Sequence, residues 1–204
     1  MKKYLSVTTA ASTIDLTTVE TIRDEIGNTT LSDSTIRRWI GEESDRIAAY
    51  CGRVFGAETV VETFYLETDA PGLLMASRFP IVSVSSVSED DAAALDASLY
   101  QVDATTGFIY RLDEDADRSV WSADKVAVSY TAGYTLVSTL PRAVEAACIQ
   151  MVARRAYARG RDPNLRSESV DGVSTLQWWV SSDSDGMTAA IREMLAPYRQ
   201  DMAL

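Results

Sequence analysis

Histidine is absent from the 204 residues. With it go the usual general base at neutral pH, the commonest metal ligand and the centre of Ser-His-Asp or Cys-His chemistry. Cysteine is scarce. Cys51 and Cys148 are the only two, too few for a structural zinc site without other ligands. Each lies in a helical pattern among apolar neighbours, Ala48, Ala49 and Tyr50 in one case and Ala146, Ala147 and Ile149 in the other, a setting that favours buried free thiols over a disulfide. No apolar run reaches the roughly 18 residues of a membrane span. Met1-Lys2-Lys3 before Tyr4-Leu5-Ser6-Val7 resembles the start of a signal peptide, but Thr8 to Thr13 is too polar for its apolar core. Positive charge is also short. There are 19 Lys and Arg against 30 Asp and Glu, a net charge of −11 and a pI near 4.5, which opposes a protein that coats nucleic acid, because phosphate neutralisation takes clustered Lys and Arg. The expectation is a soluble chain made in the cytoplasm, not an enzyme, with no cofactor and no metal.

What is present is unevenly distributed. The segment 57–124 holds fourteen acids against Arg78, Arg111 and Arg118, a charge of −11, while the flanks balance at 16 acids and 16 bases. That middle segment reads as built to present negative charge. The flanks read as helical. Leu16, Val19, Ile22 and Ile26 form one stripe of a helix over about 18–26 capped by Thr17, with Gly27 as its stop. Ser32 or Asp33 can cap a second helix whose apolar face is Ile36, Trp39, Ile40, Ile47, Tyr50 and Cys51, ended by Gly52. Arg38 and Glu42 are spaced to pair along it.

The middle changes to a strand period. Six short strands are expected around 59–66, 73–75, 81–87, 99–102, 107–112 and 126–130, separated by turns. A helix returns with Pro141 at its first position and Val144, Ala147, Cys148, Met151 and Val152 on one face. Beyond Gly160 the pattern is loop-like, with a hairpin around Val170-Asp171-Gly172-Val173, and a last helix over about 187–195 stops at Pro197. The fold class is α+β, a small helical bundle of about four helices with an inserted antiparallel β-rich subdomain. The expected boundaries are 14–56 for the N-terminal helices, 57–135 for the acidic insert, and 136–204 for the long helix, hairpin and C-terminal helix with its tail.

Each conspicuous cluster has a plain reading beside a functional one. The two N-terminal helices could be a helix-turn-helix with Arg37 and Arg38 toward DNA, but Glu42, Glu43 and Asp45 would then stand near phosphates. Asp113, Glu114, Asp115 and Asp117 could hold calcium, but lack the glycine and distal glutamate of an EF-hand loop; a solvated surface charge run is the simpler reading. Arg154, Arg155 and Arg159, with Arg161 and Arg166, could bind phosphate or pair with acids of a neighbouring subunit, and the acidic insert on the same chain favours pairing between copies. Trp178 and Trp179 are adjacent in a Ser- and Asp-rich stretch. A strand sends neighbours to opposite faces, so one of the two is a subunit-interface candidate.

Taken in order, these segments resemble the head–tail connector (adaptor) proteins of long-tailed phages and gene transfer agents. The resemblance is carried by Leu16 to Arg23, by Ser32-Asp33 with Ile36, Ile40, Ile47 and Tyr50-Cys51-Gly52-Arg53, by Tyr130-Thr131-Ala132-Gly133-Tyr134, by Leu140 to Ala147, by Ser167-Glu168-Ser169 with Gly172, and by the last helix ending near Tyr198-Arg199. It spans most of 14–200; the strand-rich middle is where the chain departs from the smallest members. The resemblance implies a structural virion protein of the neck, made in the host cytoplasm. It would form an oligomeric ring, typically dodecameric, between the portal protein and a head-closure (stopper) or tail protein, with packaged DNA passing through without sequence-specific binding. An acidic lining would let DNA slide. It also implies a C-terminal portal contact, for which Ile191, Met194, Leu195, Tyr198, Met202 and Leu204 are the candidates. Alternatives are another tail-associated or tail-completion subunit, a small enzyme using a carboxylate pair from the insert, and a DNA-binding regulator.

Overall fold

A computed structural model describes residues 1–27, 30–66, 71–159, 167–170, 174–177 and 186–200, the strand segments 167–170 and 174–177 by backbone. The fold is α+β. The chain forms two compact units, Met1–Thr13 with Val54–Ser138 and Ile14–Arg53 with Thr139–Leu204.

The first unit contains eight strands: β1 (Lys2–Thr9), β2 (Glu58–Tyr65), β3 (Leu73–Met75), β4 (Ile81–Glu89), β5 (Tyr100–Asp103), β6 (Phe108–Leu112), β7 (Arg118–Ser119) and β8 (Lys125–Ala132). One antiparallel sheet runs β1-β2-β8-β4 and a smaller one runs β3-β6-β5, with β7 also paired to β6. Alternation fixes the inner face of the larger sheet. Glu58, Val60, Glu62 and Phe64 of β2 are buried opposite Ala132, Tyr130, Val128 and Val126 of β8. Leu74 of β3, Ile109 of β6 and Trp121 complete the same core. Fully burying side chains such as Phe64 or Val128 stabilises by about 1.5–3 kcal/mol each.

Two findings here differ from expectation. A strand at 2–9 pairs with β2 from Lys2 opposite Tyr65 to Thr9 opposite Thr59, where the sequence suggested only a faint leader-like stretch. Seven of its eight residues are exposed, so burial contrast is weak and the alternation inconspicuous. The acids of the middle segment are also not simply presented outward. Glu58 and Glu62 face the core. Glu89 pairs with Arg111 at 3.0 Å and Asp91 pairs with Lys125. Three more make turns, an aspartate carboxylate accepting from N–H groups two or more residues on. Asp96 accepts from Ser98 N–H at 2.9 Å, Asp103 from Thr105 and Thr106 N–H at 3.0 and 3.3 Å, and Asp113 from Asp115 and Asp117 N–H at 3.0 and 2.9 Å.

The second unit contains α1 (Val19–Ile26), α2 (Asp33–Cys51), α3 (Arg142–Ala158), α4 (Ala189–Leu195) and an antiparallel pair, β9 (Ser167–Val170) with β10 (Ser174–Gln177). Thr18, not Thr17, caps α1, accepting from Thr21 N–H at 3.2 Å. Thr17 is buried and its hydroxyl donates to Glu145 on α3 at 3.4 Å. Ser32 caps α2, and Gly52 ends it at φ 64 in the left-handed conformation that favours glycine. Pro141 occupies the cap position of α3, one residue before the first helical position. The core gathers Ile22, Ile36, Ile40, Ile47, Cys51, Val144, Cys148 and Val152, all buried. Both thiols are free, and burial pushes them up, Cys51 to about 11 and Cys148 to about 12.

Gly133 has φ +114, and a Cβ there would stand 2.4 Å from the Gly56 carbonyl oxygen. Gly133→Ala is therefore expected to destabilise by about 2 kcal/mol or more, read as a lowered urea midpoint. A second expectation concerns pH. The Ser98 N–H holds the exposed Asp96 carboxyl below its usual value, and the Thr106 hydroxyl and N–H do the same for Asp103. Their contribution is complete above the unfolded value of about 4 and is lost as pH falls through the lower folded values. Unfolding midpoints of the parent should fall more steeply as pH drops below about 4 than those of an Asp96→Asn, Asp103→Asn double variant.

Candidate interaction surfaces

The most concentrated polar arrangement is inside the β unit. Glu62 is 0% exposed on the central strand β2. It accepts from Ser77 N–H at 2.9 Å, the Ser77 hydroxyl at 2.5 Å and the Tyr130 hydroxyl at 2.6 Å, with Lys3 Nζ at 3.7 Å. The Tyr130 oxygen in turn accepts from Arg78 N–H at 3.3 Å, and Arg78 Nε bonds Glu58 at 3.2 Å. Burial and then the Glu62 charge push the Tyr130 phenol well above its usual range. A glycosidase-like reading would draw a pair of carboxylates from this middle segment. Glu62 has its oxygens committed to donors within the core, so the arrangement does structural work.

Outside, the turn at 113–117 keeps Asp113 occupied with its own backbone while Glu114, Asp115 and Asp117 are exposed with no ion pair among the described residues. Arg154 on α3 and Arg159, just past its end, are exposed. Arg155, expected at a subunit contact, is instead engaged within its own unit. It pairs with Glu42 and with the buried Glu43 at 3.3 Å, and lies 5.1 Å from the centre of the Trp39 ring. The cause is Glu43, which is almost fully buried on the inner face of α2 and takes Arg46 at 2.8 Å as its second partner. Arg38 pairs with Glu42 at 3.7 Å.

The C-terminal candidates divide. Ile191 and Leu195 are fully buried, so they belong to the core of the helical unit and not to a free contact surface. The four-residue spacing that suggests a docking face equally serves a helix packing on its neighbours. Met194 and Tyr198 are half-buried. Gln200 N–H donates to Cys51 O at 2.8 Å, tying this end to the end of α2. Met202, Leu204, Trp178, Trp179, Arg161 and Arg166 lie outside the described residues.

Sequence reading missed two exposed apolar groups. Tyr4 and Tyr65 meet edge to face at 5.7 Å on adjacent strands. On the outer face of the smaller sheet, Leu73 and Met75 are exposed beside Tyr110 and Phe108, and Arg118 stacks 4.0 Å from the centre of the Tyr110 ring. The alternation Leu73, Leu74, Met75, with only Leu74 buried, was the available signal. Among the described residues no group of His, Cys, Asp and Glu is placed to hold a metal, and no helix is long and apolar enough to cross a membrane.

A model of the head completion protein family matches residues 15–200. The chain belongs to that family. Membership makes it a structural virion protein of head completion. The fold is also that of solved virion proteins. A chain in the neck of an empty gene transfer agent particle computed with C6 symmetry is 16% identical, with a TM-score of 0.58 over 98% of this chain and 97% of that one. A chain in the neck of the native particle computed with C12 symmetry is 16% identical with a TM-score of 0.57, and one in the native gene transfer agent virion is 13% identical with a TM-score of 0.57, both at the same coverage. No curated protein matches the sequence.

The carboxylate cluster generates a direct expectation. Tyr130→Phe removes a hydrogen bond to a buried charge and should cost about 1.5–3 kcal/mol in urea unfolding. Combined with Ser77→Ala in a double-mutant cycle, it should show a coupling of about 0.5 kcal/mol or more, since both donors serve one carboxylate. A Tyr130→Phe protein as stable as its parent would mean that the cluster holds nothing.

Proposed function

We propose that this protein is a subunit of an oligomeric ring in the virion neck. The ring joins the portal protein at the capsid vertex to a head-closure or tail protein, and packaged DNA passes through its channel. The observation that carries the reading is the family match over 15–200, joined to a fold shared over 98% of the chain with proteins of particle necks computed with C12 and C6 symmetry. The role asks for no catalysis.

Two exposed surfaces of opposite charge support a head-to-tail contact between copies. Arg154 stands near the end of α3 and Arg159 just past it, and Glu114, Asp115 and Asp117 on the turn between β6 and β7. A heterologous contact of this kind closes into a ring when the rotation per subunit allows it. Trp178 and Trp179 are retained as candidates for the same contact. The portal contact is assigned to Met194 and Tyr198 with Met202 and Leu204, leaving Ile191 and Leu195 to the core.

Mass photometry of the purified protein, alone and with its cognate portal, tests the reading. A discrete ring-sized species, or a complex formed only with the portal, is expected; a monomer that ignores the portal overturns it. Arg154→Glu with Arg159→Glu should abolish the ring-sized species while leaving the melting temperature unchanged. Adding Glu114→Arg and Asp115→Arg in the same chain should restore it if these surfaces meet.

A further inference from the structure

The larger sheet has one edge that the chain closes itself and one that it leaves open. Along β4, Leu95 N–H donates to Val87 O at 2.7 Å, Ser88 bridges Ala94, and Ile81 N–H donates to Ala104 O at 2.7 Å. Two register shifts, between Ile81 and Ser83 and between Val84 and Ser86, interrupt the ladder as well. Bulges and covering segments are the usual protection of a sheet edge. β1 is different. Its pairing with β2 is regular from Lys2 to Val7, and among the described residues no strand lies on its other side. Tyr4 is 67% exposed and Val7 42%. Its charges, Lys2 and Lys3, stand together at its start, and Lys3 reaches Glu62 and the Met75 carbonyl.

The second observation is a sheet of only two strands. β9 and β10 pair antiparallel over four residues each, from Ser167 opposite Gln177 to Val170 opposite Ser174, and among the described residues no third strand joins them. A lone hairpin is marginal in water, and a third strand is what stabilises it. Among the described residues, each chain thus holds an edge that lacks a strand and a hairpin that lacks a sheet.

We infer that the β9–β10 hairpin of one copy adds to the open edge of β1 in the next, so that the sheet continues from subunit to subunit. The inference rests on the ring reading above and names its contact. Edge and hairpin are different surfaces of the same chain, so the contact is heterologous and propagates until the ring closes. Strand addition draws its affinity from main-chain hydrogen bonds.

Cysteine cross-linking between two differently tagged full-length chains tests this. One chain carries Ser6→Cys, the other Ser169→Cys or Thr175→Cys; they are mixed with the portal and treated with a short bismaleimide. The native Cys51 and Cys148 are buried with raised thiol values, which keeps their background low. The expected result is a covalent product joining the two tags, about tenfold above that from an exposed Ser98→Cys control, because pairing raises the local concentration of the thiols. Cross-linking at the control level overturns the inference, and so does a chain bearing both cysteines that links only to itself. Mass photometry of the same samples separates the two levels. Ring-sized particles without the cross-link remove the strand addition alone; no ring-sized particles remove the ring reading too.

Discussion

A carboxylate out of reach of water costs several kcal/mol unless its oxygens find donors, and the β unit is arranged around meeting that demand at Glu62. The donors come from separate parts of the chain. Tyr130 stands on the neighbouring strand β8, Ser77 follows β3, and Lys3 comes from β1. A one-residue slip of β2 would turn Glu62 to the outer face and leave the Tyr130 hydroxyl buried without its acceptor. The same group therefore fixes strand register, holds the segment before β4 against the sheet, and tethers the first strand.

The negative charge of the protein acquires a different meaning from this arrangement. Much of it is occupied in building the fold, through inward carboxylates, ion pairs with Arg111 and Lys125, and aspartates that close turns. The helical unit uses charge the same way. Glu43 is buried in α2, and Arg46 and Arg155 converge on it, the latter beside the Trp39 ring. What is left for partners is narrower than composition suggests, and it includes the carboxylates beyond Asp113, Arg154 of α3 with Arg159 just past its end, and a few apolar side chains on strands.

The helices were legible because their ends are written in residue types with a single strong preference. Ser32 before α2, Gly52 after it and Pro141 before α3 mark boundaries to within a residue. Strand positions were also readable, but their orientation was not. On β2, one face is Glu58, Val60, Glu62 and Phe64 and the other is Thr59, Val61, Thr63 and Tyr65. Hydropathy favours burying the second, and the structure buries the first, because the donors that neutralise the glutamates come from residues 3, 77, 78 and 130. Long-range compensation leaves no local mark. The C-terminal stripe shows the converse limit. An apolar face announces that something covers it, and for Ile191 and Leu195 the cover is the chain's own helical core.

The hydrogen bond from Gln200 to Cys51, at the foot of α2, sets a leash on whatever the tail does. An extended chain advances at most about 3.3–3.6 Å per residue, so Leu204 can lie no farther than about 14 Å from Gln200. Any partner held by Met202 or Leu204 must bring its own surface to within that radius of the end of α2. A displacement of such a partner would then be felt at that helix end, with little chain between the two to absorb it.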